Sequence, residues 1–432
     1  MTDQNIVDAD DIQLVVNGFK QYFQRAVETN SFKVNTLKKS MEPIFKRAGY
    51  RCTTHTHTHK GRLKRADCIL ILHEAAVGDF IVMSPALREL RRLYPTAHIT
   101  LIVEQASANL AECCPYVDEV IAAPYSSIPS ELTSIYAVNL NLASELLKRR
   151  YDIAIAYAYS FIPNVPLLAY MSGANHRISH QAGLWEPLVT DFVSPINGKY
   201  QAVDVTLKYI EHLIKKPIQK RELEIWVADS DIETAQKILP PSKKLYAIGL
   251  GGAKSKKHYP PECYAELINM LRRADAELKF VLLGGVTDIE EAKILMSNVD
   301  VDYIVDLTGK TTFRETAAVL NFCNLYIGND SAAMHLAAAT NTPVLSPFCF
   351  ASEFRTYPTV VSHWYPYGVP SVLVCPSHAL PECRGSKNFY GCRAEYPHCI
   401  KQIAPQHLLD AYKILLERIA QGNSEPFVFT AE

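Results

Sequence analysis

Two stretches of this chain repeat one rhythm: a short apolar run, a helical pattern, then another apolar run. In the first, Cys68-Ile69-Leu70-Ile71-Leu72 reads as a buried strand, Pro85 to Leu93 as a helix and Ile99-Thr100-Leu101-Ile102-Val103 as the next strand. Val120-Ile121 and Ile153-Ala154-Ile155-Ala156 continue the series. The second stretch begins at Tyr246-Ala247-Ile248-Gly249-Leu250, has a helix face at Tyr264, Leu267, Ile268 and Leu271, and resumes at Phe280-Val281-Leu282-Leu283. Further strands are expected at Tyr303-Ile304-Val305, Leu325-Tyr326-Ile327 and Pro343-Val344-Leu345. Strands alternating with helices predict an α/β fold with parallel sheets.

A chain of 432 residues is too long for one ordinary core. A lysine-rich stretch from Lys215 to Lys220 and the pair Pro240-Pro241 separate the two rhythms. The expected domains are therefore 67–240 and 241–404, both Rossmann-like, after an N-terminal extension at 1–66. A final helix at 405–421 opens with Pro405, carries Leu408, Leu409, Tyr412, Leu415, Leu416 and Ile419 on one face, and is followed by Gly422. In open α/β sheets ligands bind at the carboxyl ends of strands, so the expected site is a cleft between the halves.

In the extension, Ile12, Val15, Val16, Phe19, Tyr22, Phe23, Ala26 and Val27 recur at helical spacing, with Asp10 or Asp11 as a cap. A shorter helical stretch from Phe32 to Lys46 is expected to break near Pro43. The apolar stripe must pack on the body or on a second copy, which makes a homo-oligomer through this helix one of two readings. His55, His57 and His59 alternate as metal ligands would on an extended strand, or mark a solvated linker.

Lys+Arg 44 against Asp+Glu 45 gives a net charge of -1, which does not point to nucleic-acid binding. The N-terminus has neither the basic nor the apolar region of a secretory signal, and no run is apolar enough to span a membrane. The expectation is a cytoplasmic protein, at most peripheral at the inner membrane.

Four loops are candidates for chemistry. His73-Glu74-Ala75-Ala76-Val77-Gly78-Asp79 lacks a glycine fingerprint for a nicotinamide dinucleotide, but sets Asp79 at a helix start. There a carboxylate stays ionised and can take a proton from a hydroxyl; it can equally cap the helix. Gly328-Asn329-Asp330-Ser331-Ala332-Ala333-Met334-His335 runs from a strand into an alanine-rich helix. Its first amides, at Ala332 and Ala333, and the Ser331 hydroxyl suit an anion, Asp330 suits sugar hydroxyls, and His335 lies one turn in. The bland alternative is a capped core helix with a buried histidine. Gly251-Gly252-Ala253-Lys254-Ser255-Lys256-Lys257 offers close backbone approach and cationic charge for phosphate, or a solvated loop. Gly284-Gly285-Val286-Thr287-Asp288 follows a neighbouring strand. Together these loops ask for a nucleotide-linked donor.

The residues then fall into a known order. Val77-Gly78-Asp79 with Ser84-Pro85-Ala86-Leu87-Arg88, Tyr94-Pro95, Cys114-Pro115-Tyr116-Val117-Asp118, Tyr151-Asp152 and Gly173-Ala174-Asn175-His176-Arg177-Ile178 stand in the first half. Lys257-His258-Tyr259-Pro260, Leu307-Thr308-Gly309-Lys310-Thr311 and Gly328 to Ala338 stand in the second. With these motifs the chain resembles the ADP-heptose heptosyltransferases of glycosyltransferase family 9, which have the GT-B fold. The resemblance covers about 67–420. It implies that Asp79 is the general base, that Lys257 contacts donor phosphate, and that Asp330, Ser331 and His335 bind donor sugar and pyrophosphate. Asp288 lies near a family position that contacts the nucleoside, and the final helix is implied to pack back on the N-terminal half. Ala332 departs from the family's glycine, and its Cβ crowds a phosphate approaching the amides.

The implied activity is inverting transfer of a heptose from an ADP-linked donor to a hydroxyl, on a lipopolysaccharide core sugar or a protein Ser/Thr, with no cofactor needed for the chemistry. The alternative is a non-catalytic nucleotide-sugar-binding subunit assembled through the N-terminal helix. Of 11 cysteines, Cys375, Cys383, Cys392 and Cys399 fall close together without a C-x-x-C pair. Four such thiols can hold structural iron or zinc, with His378 or His398 as substitutes. A subgroup of the family that glycosylates autotransporter proteins resembles this plan, with bound iron.

Overall fold

The computed structural model describes residues 7–29, 31–50, 66–73, 75–123, 132–157, 164–180, 186–194, 201–252, 257–350, 364–378, 380 and 398–431. His55, His57, His59, Cys383 and Cys392 lie outside them. The chain divides into two compact units. The first takes the chain to Ile196 and adds Val205–Gln219; the second holds Asn197–Asp204 and everything from Lys220. The change of unit thus falls earlier than the expected boundary at 240.

The first unit is built on strands β1 (Cys68–His73), β2 (His98–Glu104), β3 (Glu119–Ala123), β4 (Ile153–Tyr157), β5 (His176–Ser179) and β6 (Asp191–Phe192). They pair in parallel in the order β3-β2-β1-β4-β5-β6. Ile69 to Leu72 and Ile153 to Ala156 are all essentially inaccessible, which is why those strands read as unbroken apolar runs.

Helices α1 (Ala9–Glu28) and α2 (Val34–Arg47) belong to this same unit. Val15, Phe19 and Phe23 of α1 and Leu37, Met41 and Phe45 of α2 share one core with Ala143, Leu147, Leu167, Tyr170 and Met171. Phe19 and Phe45 both meet the Tyr170 ring edge-on, at 6.1 and 5.4 Å. The Tyr50 hydroxyl donates to Leu147 O at 2.6 Å. Most of the apolar stripe thus packs within the first unit, the first of the two readings, while Val27 stays exposed. Two local expectations also change. Asp8, rather than Asp10 or Asp11, caps α1 by accepting from the Asp10 amide, and α2 runs through Pro43 without breaking. Burial of Met41 and Phe45 on either side of the proline offsets its missing hydrogen bond.

The second unit carries β7 (Leu245–Gly249), β8 (Lys279–Leu283), β9 (Ile304–Asp306), β10 (Leu325–Gly328), β11 (Val344–Pro347), β12 (Ser371–Pro376) and β13 (Pro426–Ala431). Their order is β13-β12-β11-β10-β7-β8-β9, again all parallel. Both sheets follow the 3-2-1-4-5-6 doubly wound order, whose reversal points lie between β1 and β4 and between β7 and β10. The C-terminal helix, Pro405–Ala420, buries Leu408, Ala411 and Leu415 in the core of this second unit. That differs from the implied return to the N-terminal half: its apolar face matches α10 (Pro261–Ala274) and the β11–β12 region. Among the described residues no helix is long and apolar enough to cross a membrane.

Candidate active site

In the first unit the chain leaves β1 at the reversal point and enters a short helix, α3 (Val77–Val82). Asp79 stands in its first turn, half-exposed, and its Oδ2 accepts from the Ala76 amide at 3.0 Å. The capping role is thus real. It also orients the carboxylate at the carboxyl edge of the sheet, where a base is useful. Beneath it His73, paired with Tyr157 across β1 and β4, is fully buried. Burial lowers its pKa to about 4, so the ring is neutral at pH 7.

In the second unit Asn329 organises the reversal point. This fully buried side chain accepts from the Tyr259 amide at 3.0 Å and the Tyr264 hydroxyl at 2.9 Å, and donates to Leu250 O at 2.5 Å. Its own amide donates to Gly249 O at 3.1 Å. One side chain therefore ties the end of β10 to the end of β7 and to the start of α10. Sequence quoted Asn329 within the motif without giving it a task.

Held by that knot, Asp330 and Lys257 meet: Oδ2 lies 2.5 Å from Nζ, with side-chain exposures of 10% and 24%. Ser331 then starts α13 (Ala332–Ala339) in extended backbone, and its hydroxyl makes no cap hydrogen bond to the helix. The amides of Ala332 and Ala333 open this helix, half-exposed. His335 is 4% exposed, its pKa is lowered to about 4 by burial, and its Nδ1 has no hydrogen-bond partner among the described residues. Trp364 faces the ring edge-on at 6.4 Å. Thr308, at the end of β9, is equally buried, with an Oγ1 that has no partner among the described residues.

The glycine loop has a packing role of its own. A Cβ on Gly251 would sit 2.5 Å from Asp288 Oδ2, and one on Gly252 would sit 3.2 Å from His258 Nε2. These glycines make room for protein side chains. Asp288 is 4% exposed and accepts from the Gly285 amide at 2.6 Å, so its carboxylate holds the loop together. His258, unassigned by sequence, lies 2.8 Å by Nδ1 from Glu291 Oε1 and donates by Nε2 to Gly252 O at 2.9 Å. The Glu291 carboxylate raises its pKa. His258, Asp288 and Glu291 are the one group among the described residues with ligand atoms gathered within 4.8 Å. Both ring nitrogens of His258 are already committed to protein groups.

The cysteines do not assemble a ligand set among the described residues. Cys399 Sγ accepts from the Phe350 amide at 3.3 Å and lies beside Cys349, which sequence did not single out. Burial pushes the Cys375 thiol up to about 12.

Two doubly wound parallel sheets, one in each unit, are the make-up of a GT-B protein. Comparison with known proteins agrees: the profile of glycosyltransferase family 9 (heptosyltransferase) matches residues 139–368, and this chain belongs to that family. It is similar to lipopolysaccharide heptosyltransferase 3 of Escherichia coli, 24% identical over 63% of this chain and 79% of that protein. Among solved structures it is similar to the family 9 glycosyl transferase of Veillonella parvula, with TM-score 0.67 and 21% identity over 82% of this chain and 98% of that one. It is also similar to E. coli ADP-heptose lipopolysaccharide heptosyltransferase II, with TM-score 0.61 and 20% identity over 82% and 99%. The chain is a glycosyltransferase of the heptosyltransferase type.

Proposed function

We propose that the chain transfers a heptose from ADP-heptose to a hydroxyl of a lipopolysaccharide core sugar, with inversion at the anomeric carbon. The observation that carries this reading is the Lys257–Asp330 pair beside a Ser331 hydroxyl that makes no cap hydrogen bond at the start of α13. These groups have the chemistry of a diphosphate sugar: a cation and amides for phosphate, a carboxylate for sugar hydroxyls. The names of the similar proteins supply the heptose and the acceptor class.

In the proposed reaction Asp79 takes the proton of the acceptor hydroxyl as its oxygen bonds to the anomeric carbon. The bond from that carbon to the diphosphate oxygen breaks on the opposite face, and ADP leaves with the electron pair. The sugar passes through a state of oxocarbenium character. Lys257 and the amides of Ala332 and Ala333 stabilise the charge growing on the diphosphate. His335, neutral by burial, offers a hydrogen-bonding nitrogen without adding charge. The assembly-subunit alternative is not favoured: much of the N-terminal stripe packs within the first unit, which leaves Ala332 as the feature on its side.

Calorimetric titration with ADP-heptose, ADP-glucose and UDP-glucose tests the donor. ADP-heptose should bind best and Asp330→Ala should weaken it; equal or absent binding of all three would end the reading. Asp79→Ala should keep that binding and lose transfer, and retained turnover would remove Asp79 as the base.

A further inference from the structure

We propose that the Tyr326 hydroxyl is a positioning group of the nucleoside diphosphate site, acting through Ser331. The inference rests on the donor reading above. Tyr326 pairs with Ala247 in the middle of the second sheet and is fully buried. Its neighbours Leu325 and Ile327 belong to the apolar core on one face, so by alternation Tyr326 points to the other. The ring runs toward the carboxyl edge. A Cβ on Gly249 would overlap its hydroxyl, and one on Gly328 would sit 2.5 Å from it. Two glycines, one ending β7 and one ending β10, thus leave the space this phenol fills, at the reversal point of the sheet.

Among the described residues the Tyr326 hydroxyl has no hydrogen-bond partner. A phenylalanine would fill the same space without a buried polar atom to satisfy, so packing does not account for the oxygen. Burial raises the phenol's pKa and keeps the proton on, and the polar groups acting on it are the Ser331 side chain and the Asp330 carboxylate. Ser331, for its part, spends no hydrogen bond on capping α13. A serine hydroxyl accepts on its lone pairs and donates once. When Tyr326 donates to Ser331 Oγ, the serine's own proton is left for a diphosphate oxygen at the start of α13. The buried phenol then fixes the direction of a donor that would otherwise rotate, and the two bonds polarise each other.

The test is a double-mutant cycle read by ADP titration, with melting of the ligand-free proteins alongside. Tyr326→Phe should weaken ADP binding about five- to tenfold, the worth of one ordinary hydrogen bond, and should melt no lower than the wild type. Ser331→Ala should weaken binding as well, and adding Tyr326→Phe to it should cost nothing further. Wild-type affinity in Tyr326→Phe, losses that add in the double variant, or a ligand-free melting point several degrees lower would each overturn the assignment. Wild-type protein that binds no ADP would sink the donor reading and this inference with it. Tight wild-type binding with additive losses would remove only the role of Tyr326.

Discussion

Lys257 Nζ lies 2.5 Å from Asp330 Oδ2 across the reversal point of the second sheet. The family resemblance sends these two residues to different parts of one donor, phosphate and sugar, yet without a ligand they hold each other. The pair keeps Asp330, only 10% exposed as a side chain, from being buried alone. On the donor reading proposed above, phosphate would take the place of the carboxylate beside the lysine.

It follows that Lys257→Ala and Asp330→Ala have unequal costs. Removing the lysine leaves a mostly buried carboxylate without its cation and should destabilise the protein by ~1–3 kcal/mol. Removing the aspartate frees a more exposed lysine and should cost under ~1 kcal/mol. Urea unfolding of both variants checks this, and equal losses would mean that the pair is not the main partner of either charge.

The His258 ring gives a pH dependence of known sign. Its pKa is raised, first by the hydrogen bond to Glu291, then by the Gly252 carbonyl and the nearby Asp288 charge, while burial pulls the other way. A raised folded-state pKa contributes stability that is fully present below the unfolded value of about 6.5 and is lost as pH rises through the folded value. Stability should therefore fall over a window beginning near neutrality. His258→Gln should flatten that fall; an unchanged profile in chemical denaturation at stepped pH would show that the imidazolium is not its source.

Phe19 tests whether the N-terminal helices are structural members of the first unit. The residue is inaccessible and touches Phe23, Phe45 and Tyr170 rings. Phe19→Ala should cost ~3–5 kcal/mol, read as a lower melting temperature, while ADP titration of the folded protein stays unchanged. A variant that melts like the wild type would mean that the helices dock only loosely.

The strands were legible because parallel sheets covered on both sides write themselves as unbroken apolar runs, as in Cys68–His73. Four strands escape that reading: His176–Ser179 and Asp191–Phe192 are too short to stand out as apolar runs, and two more lie towards the C-terminus. Ser371–Pro376 contains Cys375, and its apolar run was taken up by the cysteine spacing; Pro426–Ala431 lies beyond the last helix. Pro43 misled, because local propensity lost to tertiary burial. At the site, Lys257 pairs with Asp330, which precedes Ser331 at the start of α13. The residues that hold them did not announce themselves. Asn329 and His258 act through bonds to segments 65 to 79 and 33 positions away, and Tyr326 looks like any strand tyrosine until Gly249 and Gly328 are found above its hydroxyl. Sequence spacing carries no record of such distant partners.

Each unit owns a complete doubly wound sheet with its own reversal point. Loops on one sheet can therefore change without disturbing the strand order of the other. The hydrogen-bonded knot around Asn329 keeps the end of β10 tied to the end of β7 whatever the loops of the first unit become.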